Sequence, residues 1–195
     1  MGQVVVILGH PVSDSYCRGL AEAVLKGVSL SAHKSTFIDL SDRGTRRPFG
    51  AEDHGHFSGG PLPQDVKAYQ QEIAAANGLV FVYPIYWWTM PDCLRSFIDR
   101  VFTAGWAYAI TDGPSKALLE DKPCQLITTA GASEETIETF GYGKAMRRLI
   151  DKGTFAYCGL KDVRSFAIYD VHDSAQIRAG GLRAAHDLGR HLLDD

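Results

Sequence analysis

Three short stretches carry residue types able to bind and orient a ligand. The first, Gly9-His10-Pro11-Val12-Ser13-Asp14-Ser15-Tyr16, leads from an apolar run into a segment with helical spacing. A strand that passes through a polar loop into a helix start gathers free backbone N–H groups and the positive end of the helix dipole at one point, which suits an anion. His10, Ser13 and Ser15 add side-chain donors, although the serines serve equally as ordinary helix caps. No GxxxxGK[ST] or GxGxxG run occurs, so neither the Walker loop nor the dinucleotide fingerprint applies. The second stretch, Pro84-Ile85-Tyr86-Trp87-Trp88-Thr89-Met90-Pro91, sets adjacent tryptophans between prolines at the end of a strand. Loops run over the surface, so such rings are placed to stack on a flat apolar ligand while the backbone bonds its polar edge; the plainer alternative is packing under the loop. The third, Thr128-Thr129-Ala130-Gly131-Ala132-Ser133, has side chains small enough for backbone to approach a ring edge, and also reads as a tight turn before a helix.

Other constellations are weaker. Glu52-Asp53-His54-Gly55-His56 has HxH spacing but no evident third ligand, and reads as a solvated polar loop, so no metal is expected. A hydrolase triad lacks its GxSxG elbow, and a phosphoryl receiver lacks an acceptor carboxylate where Tyr83-Pro84 stands. Cys17, Cys93, Cys124 and Cys158 form no CxxC pair and read as buried, reduced thiols. The net charge of −3 offers no basic stripe for nucleic acid.

The elements that must position these stretches follow from hydrophobic periodicity. Val4–Leu8, Thr36–Leu40, Leu79–Tyr83, Gln125–Thr129 and Val163–Tyr169 read as five strands, the first and third apolar on both faces. Helices are expected after Ser13, Asp14 or Ser15, around Val66–Ala76, from Pro91, over 141–152 and over Ser174–Leu193, where Gly180-Gly181 weakens continuity. Residues 41–63 read as a long polar loop. A chain of 195 residues fits one domain over 1–195. The alternation implies an α/β doubly wound parallel sheet of order 2-1-3-4-5 with helices on both faces and a ligand at the carboxyl ends of its strands. All three stretches fall at those ends. The start Met1-Gly2-Gln3-Val4 has no charged n-region, and no apolar run nears the ~20 residues of a membrane span, so a soluble cytoplasmic protein is expected.

With the loops placed, a resemblance becomes specific. HPxxxSxxxxL from His10 to Leu20, the run Val80–Phe102 and Gly105-Trp106-Ala107-Tyr108 resemble the NAD(P)H dehydrogenase (quinone) family. Gly113-Pro114, Lys122 and Thr128-Thr129 continue the match, and Cys158-Gly159 fits more loosely. The resemblance implies a flavodoxin-like fold, FMN or alternatively FAD as cofactor, NAD(P)H as co-substrate and a ping-pong transfer of two electrons to a quinone or similar acceptor. It implies His10, Ser15, Tyr16 and Cys17 around the flavin phosphate, Pro84, Ile85, Tyr86, Trp87 and Trp88 along the isoalloxazine, and Thr128, Thr129, Ala130 and Gly131 at its pyrimidine edge. Trp106 and Tyr108 would face the substrate cavity, often across a homodimer interface, as one aromatic wall opposite the Pro84–Trp88 platform. Cys17 stands where many relatives carry Asn. The Tyr-His relay of animal quinone reductases is not recognisable, with Thr136 and Tyr142 near those places and Tyr142 a partial substitute. Asp99-Arg100 reads as a structural pair at a helix end. Because the family includes oxidoreductase subunits of potassium-efflux systems, the alternative is a flavin-binding regulatory subunit of such a transporter.

Overall fold

The computed structural model describes residues 1–42 and 44–194. Its strands are β1 Gln3–Leu8, β2 Lys34–Asp39, β3 Gly78–Pro84, β4 Tyr108–Ala109, β5 Lys116–Ala117, β6 Cys124–Thr129 and β7 Val163–Ile168. Its helices are α1 Tyr16–Ser29, α2 Ala51–Phe57, α3 Gln64–Ala75, α4 Asp92–Val101, α5 Glu134–Thr139, α6 Tyr142–Met146, a π-helix over Arg147–Ala156, and α7 Ala175–His191. Five strands form a parallel sheet in the order β2-β1-β3-β6-β7, the expected 2-1-3-4-5 arrangement, while β4 and β5 make a separate antiparallel pair. The apolar run of β3 has its cause here: every one of its residues is buried, with helices over both faces.

Two layers of core follow from strand alternation. Val5, Ile7, Phe81, Tyr83 and Leu126 face α3, α4 and the π-helix, where Phe97 and Phe155 meet them. Val4, Val6, Val80, Val82 and Ile127 face the other way, onto Leu20 and Val24 of α1 and Ala185 of α7. Helices α1 and α7 touch through glycine. A Cβ on Gly27 would lie 2.1 Å from the His186 carbonyl oxygen, and one on Gly189 would lie 2.2 Å from that of Val24. Helix α7 runs unbroken through Gly180-Gly181, and Gly181 makes room for Tyr16, whose hydroxyl lies 2.2 Å from where a Cβ would stand. No helix among the described residues is long and apolar enough to cross a membrane.

The expected loop over 41–63 is corrected by α2, and the Glu52–His56 stretch is not a solvated loop. Asp53 is 6% exposed; one carboxylate oxygen accepts the Gly50 N–H at 2.8 Å, and the other accepts Arg100 Nε at 2.8 Å. Arg100 also reaches Asp65 at the start of α3, through Nη2 at 2.8 Å. Asp99 instead pairs with Arg95, so Asp99 and Arg100 are not partners of one another. The helix expected over 141–152 is real but continues to Ala156, with its second part widened into π geometry.

Candidate active site

At the carboxyl rim, each strand is tied to its neighbour by backbone hydrogen bonding just beyond the strand. Leu40 N donates to Leu8 O (3.0 Å), Gly9 N to Val82 O (2.8 Å), Ile85 N to Thr129 O (2.8 Å) and Ala130 N to Ile168 O (2.9 Å). The three candidate stretches therefore start from fixed points on one edge.

In the first stretch, Ser15 caps α1, its Oγ accepting Arg18 N at 3.2 Å. The N–H groups of Tyr16 and Cys17, in the first turn, have no intrahelical acceptor and remain available to an anion. Val12 N donates to His10 Nδ1 at 3.0 Å, and partial burial lowers the His10 pKa, so the imidazole is neutral and shapes the loop. The Tyr16 hydroxyl points away from the loop, donating to Arg178 O of α7 at 2.8 Å, with its pKa pushed up to about 12 by burial. Cys17 is 2% exposed and its Sγ lies 3.3 Å from Thr129 Oγ1, joining the first stretch to the third; burial raises its thiol to about 11. All four cysteines are free and buried. Arg18 braces the loop from outside, its Nε donating to Ser13 O at 2.6 Å while its Nη2 binds Asp39.

The second stretch makes a tight hairpin. Tyr86 and Thr89 exchange backbone bonds of 2.9 and 3.0 Å, which leaves Trp87 and Trp88 as the two turn residues. Both have left-handed backbone, φ +47° and +60°, the pattern of a type I′ turn that glycine and asparagine normally occupy. Strain of this kind clusters at functional sites. Among the described residues, the N–H groups of Trp87 and Trp88 find no protein acceptor. Trp87 is 89% exposed, whereas Trp88 stacks on Tyr142 with centroids 3.8 Å apart and planes at 12°. Phe140 continues the stack beyond Tyr142 at 5.7 Å. In the third stretch Thr128, Thr129 and Ala130 are buried, Gly131 is exposed, and Ser133 caps α5. A Cβ on Gly131 would lie 2.9 Å from His172.

Trp106 and Tyr108 do not share this rim. Helix α4 carries the chain back along the sheet, so the residues after it arrive at the strands' amino ends. Trp106 lines a cleft there with Ile73, Leu119 and Lys122, and Lys122 caps the end of α3 through Ala76 O at 2.6 Å. Tyr108 packs against Tyr157, with ring centroids 5.4 Å apart. Within one chain the aromatic wall expected opposite Pro84–Trp88 is thus Tyr142 and Phe140.

The sequence reading passed over Ser41, just past β2, whose buried hydroxyl has no partner among the described residues. It also passed over Asp151, 8% exposed on the π-helix. Ser41 lies two residues past the end of β2, after Leu40, a positional hint; nothing in the local sequence marks Asp151. Free first-turn amides, an orphaned hydroxyl and a turn offering two amides beside stacked rings fit a phosphorylated flavin.

The chain belongs to the flavodoxin-like fold family, which it matches over residues 2–192. Its relatives are named NAD(P)H oxidoreductase, NAD(P)H dehydrogenase (quinone) and ribosyldihydronicotinamide dehydrogenase (quinone). It is 28% identical over 169 residues to an uncharacterised NAD(P)H oxidoreductase of Haemophilus influenzae, covering 86% of this chain and 84% of that one. An NAD(P)H:quinone oxidoreductase from Methanothermobacter marburgensis superposes with a TM-score of 0.86 at 27% identity, covering 98% of each chain. An FMN-dependent NADH-azoreductase of Bacillus anthracis, solved with FMN, shares the fold at a TM-score of 0.78 and 18% identity over the full length of both.

Proposed function

We propose that this chain is a flavin-dependent NAD(P)H:quinone oxidoreductase that holds FMN, with FAD the alternative, across the carboxyl rim of its sheet. The observation that carries the reading is the strained Trp87-Trp88 turn, whose free amides stand beside the strand end that Cys17 links to the phosphate loop. The Tyr16 and Cys17 amides would hold the phosphate, with the Ser15 cap keeping them aligned. Backbone groups from Ile85 to Trp88 would lie along the ring system, and Thr128 to Gly131 would meet its polar edge. The flavin supplies the hydride chemistry when bound, and the protein supplies position and hydrogen bonding. The Trp88–Tyr142–Phe140 stack makes one apolar wall, against which a nicotinamide and then a flat acceptor would lie in turn. A single shared position predicts ping-pong kinetics, with parallel double-reciprocal lines when NAD(P)H is varied at several quinone concentrations.

A homodimer belongs to the same reading. Ile110 is 77% exposed beside Tyr108, and Trp87 is 89% exposed at the other end of the sheet, so one chain leaves apolar groups uncovered at both ends. A second copy placed with its Tyr108 end over the rim would cover both and add Trp106 and Tyr108 to the acceptor site. Light scattering at tens of micromolar should give twice the chain mass; a monomer would remove this part of the proposal.

The test of the main reading is cofactor uptake. FMN at a hundredfold excess over its Kd should stabilise the native chain by about 2.7 kcal/mol and raise its thermal midpoint by several degrees. A midpoint unmoved by both FMN and FAD would refute the flavoprotein reading. A flavin-loaded chain that fails to turn over NAD(P)H with a simple quinone would refute the enzymatic one.

A further inference from the structure

Behind the rim, between the sheet and the π-helix, lies a cavity of about 250 Å³ that the reading above leaves without a role. Tyr83, Thr128, Ser165 and Asp151 line it, and it extends to Ile85 at the rim and to Arg147 on the π-helix. A space this size takes several waters at ~30 Å³ each, and its hydroxyl and carboxyl groups give them partners. Asp151 makes no ion pair among the described residues; its carboxylate accepts the Ser165 hydroxyl at 3.0 Å. Burial of this carboxyl favours its neutral form. π-helical geometry is rare and, as single turns, frequent at functional sites, and this ten-residue stretch carries the buried Asp151.

We propose that this chamber supplies the proton that the reaction at the rim consumes, with Asp151 as the acid and water as the carrier. The proposal rests on the oxidoreductase reading. NAD(P)H gives up a hydride, and a quinone becomes a hydroquinone by taking up that hydride together with one further proton. That proton leaves the Asp151 carboxyl, whose O–H bond breaks as an O–H bond of the hydroquinone forms, and solvent entering past Arg147 reprotonates the carboxylate between turnovers. Thr128 and Ile85 belong both to the chamber lining and to the rim, so the path to the acceptor passes between them.

The groups around Asp151 agree with this role. Burial raises its pKa, opposed by the Ser165 hydrogen bond and by the charges of Arg147 and Lys152 on its own helix. Tyr83 from β3 and Cys124 from β6 face it with pKa values also raised by burial, so both stay neutral. Glu134 from α5 and Tyr169 just past β7 line the cavity as well, and burial together with the charges of Glu134 and Glu138 raises the Tyr169 pKa.

The experiment begins with infrared spectroscopy of the wild-type chain without cofactor. A protonated carboxylic acid band should be present at neutral pH, titrate away with alkali, and be missing in Asp151→Asn. In the flavin-loaded Asp151→Asn chain, bleaching of the flavin by NAD(P)H should be unchanged while reoxidation by quinone slows by about a hundredfold or more, the lower end of the range for a lost general acid. Ala167→Leu, which narrows the chamber, should keep the band yet slow reoxidation in the same direction. If Asp151→Asn does not fold, the wild-type titration still decides, because an ionised Asp151 at neutral pH overturns the proposal. Equal slowing of both half-reactions also overturns it, since that marks a structural role. A chain that shows the band but takes up no flavin refutes the oxidoreductase reading, and the proton role with it.

Discussion

Replacing Trp87 by asparagine should move stability and cofactor affinity in opposite directions. Trp87 holds φ +47°, and left-handed backbone costs an ordinary L-residue roughly 1–2 kcal/mol, most of which asparagine avoids. The ring is 89% exposed, so its loss removes almost no packing from the chain without cofactor. Trp87→Asn should therefore stabilise that form by about 1 kcal/mol, a rise of roughly 2–4 °C for a chain of this size. With flavin the balance reverses. A tryptophan offers up to about 250 Å², and covering roughly 100 Å² of it with a flavin ring contributes about 2.5 kcal/mol at ~25 cal/mol/Å². FMN affinity should fall by somewhat less than a hundredfold. Thermal melts without FMN and a fluorescence titration with it read the two effects separately. If the melting point falls, the backbone is not strained as described. If FMN binds equally well, the ring does not lie against the cofactor.

Removing Arg100 as Arg100→Met leaves Asp53 buried without its cation and should cost about 3–5 kcal/mol, read as a lower urea midpoint. That deficit should shrink in acid. Burial pushes the Asp65 pKa up, but hydrogen bonding and charge from Arg100 outweigh it and leave the value lowered. A depressed carboxyl contributes stability above its unfolded pKa and loses it as pH falls through the folded value, so wild type loses more on acidification than the variant. Ser15→Ala removes the cap on α1 and should cost about 1 kcal/mol of stability. The same change should weaken FMN by roughly 1–2 kcal/mol, and equal FMN affinity would put the phosphate elsewhere.

What the sequence disclosed and what it hid divide along physical lines. The sheet was legible because a doubly covered strand must be apolar throughout, as β3 is, and because Pro84 and Pro91 mark where chain leaves strand and re-enters helix. The three rim stretches were legible because tryptophans and small residues at strand ends violate the pattern of a core. Helix α2 was not, because its one inward residue is a charged one: Asp53 is buried only by virtue of Arg100, nearly fifty residues away in sequence. Asp151 was hidden for the same reason, its partner Ser165 lying on β7 rather than on its own helix. Tyr16 shows a subtler limit. Its place at the start of α1 follows from the cap before it, but its hydroxyl is drawn to α7 by a carbonyl that no local pattern reveals.

The rim also explains how one edge can be both rigid and strained. Every strand end is fastened to its neighbour by backbone bonding, and beyond it, among the described residues, the amides of Tyr16 and Cys17 in the first turn of α1, the amides of Trp87 and Trp88 and the Ser41 hydroxyl lack protein partners. Precision comes from the fastened side, since groups held on strands and helix starts move little. Affinity comes from the unfastened side, since a donor left unpaired in a partly dry site gains most when a ligand pairs it. A left-handed tryptophan turn persists under these conditions because Tyr86 and Thr89 lock its ends and Tyr142 stacks against Trp88. The strain is thus carried by the frame before any ligand arrives, which is the arrangement a site needs if binding is not to spend its free energy on reshaping the loop.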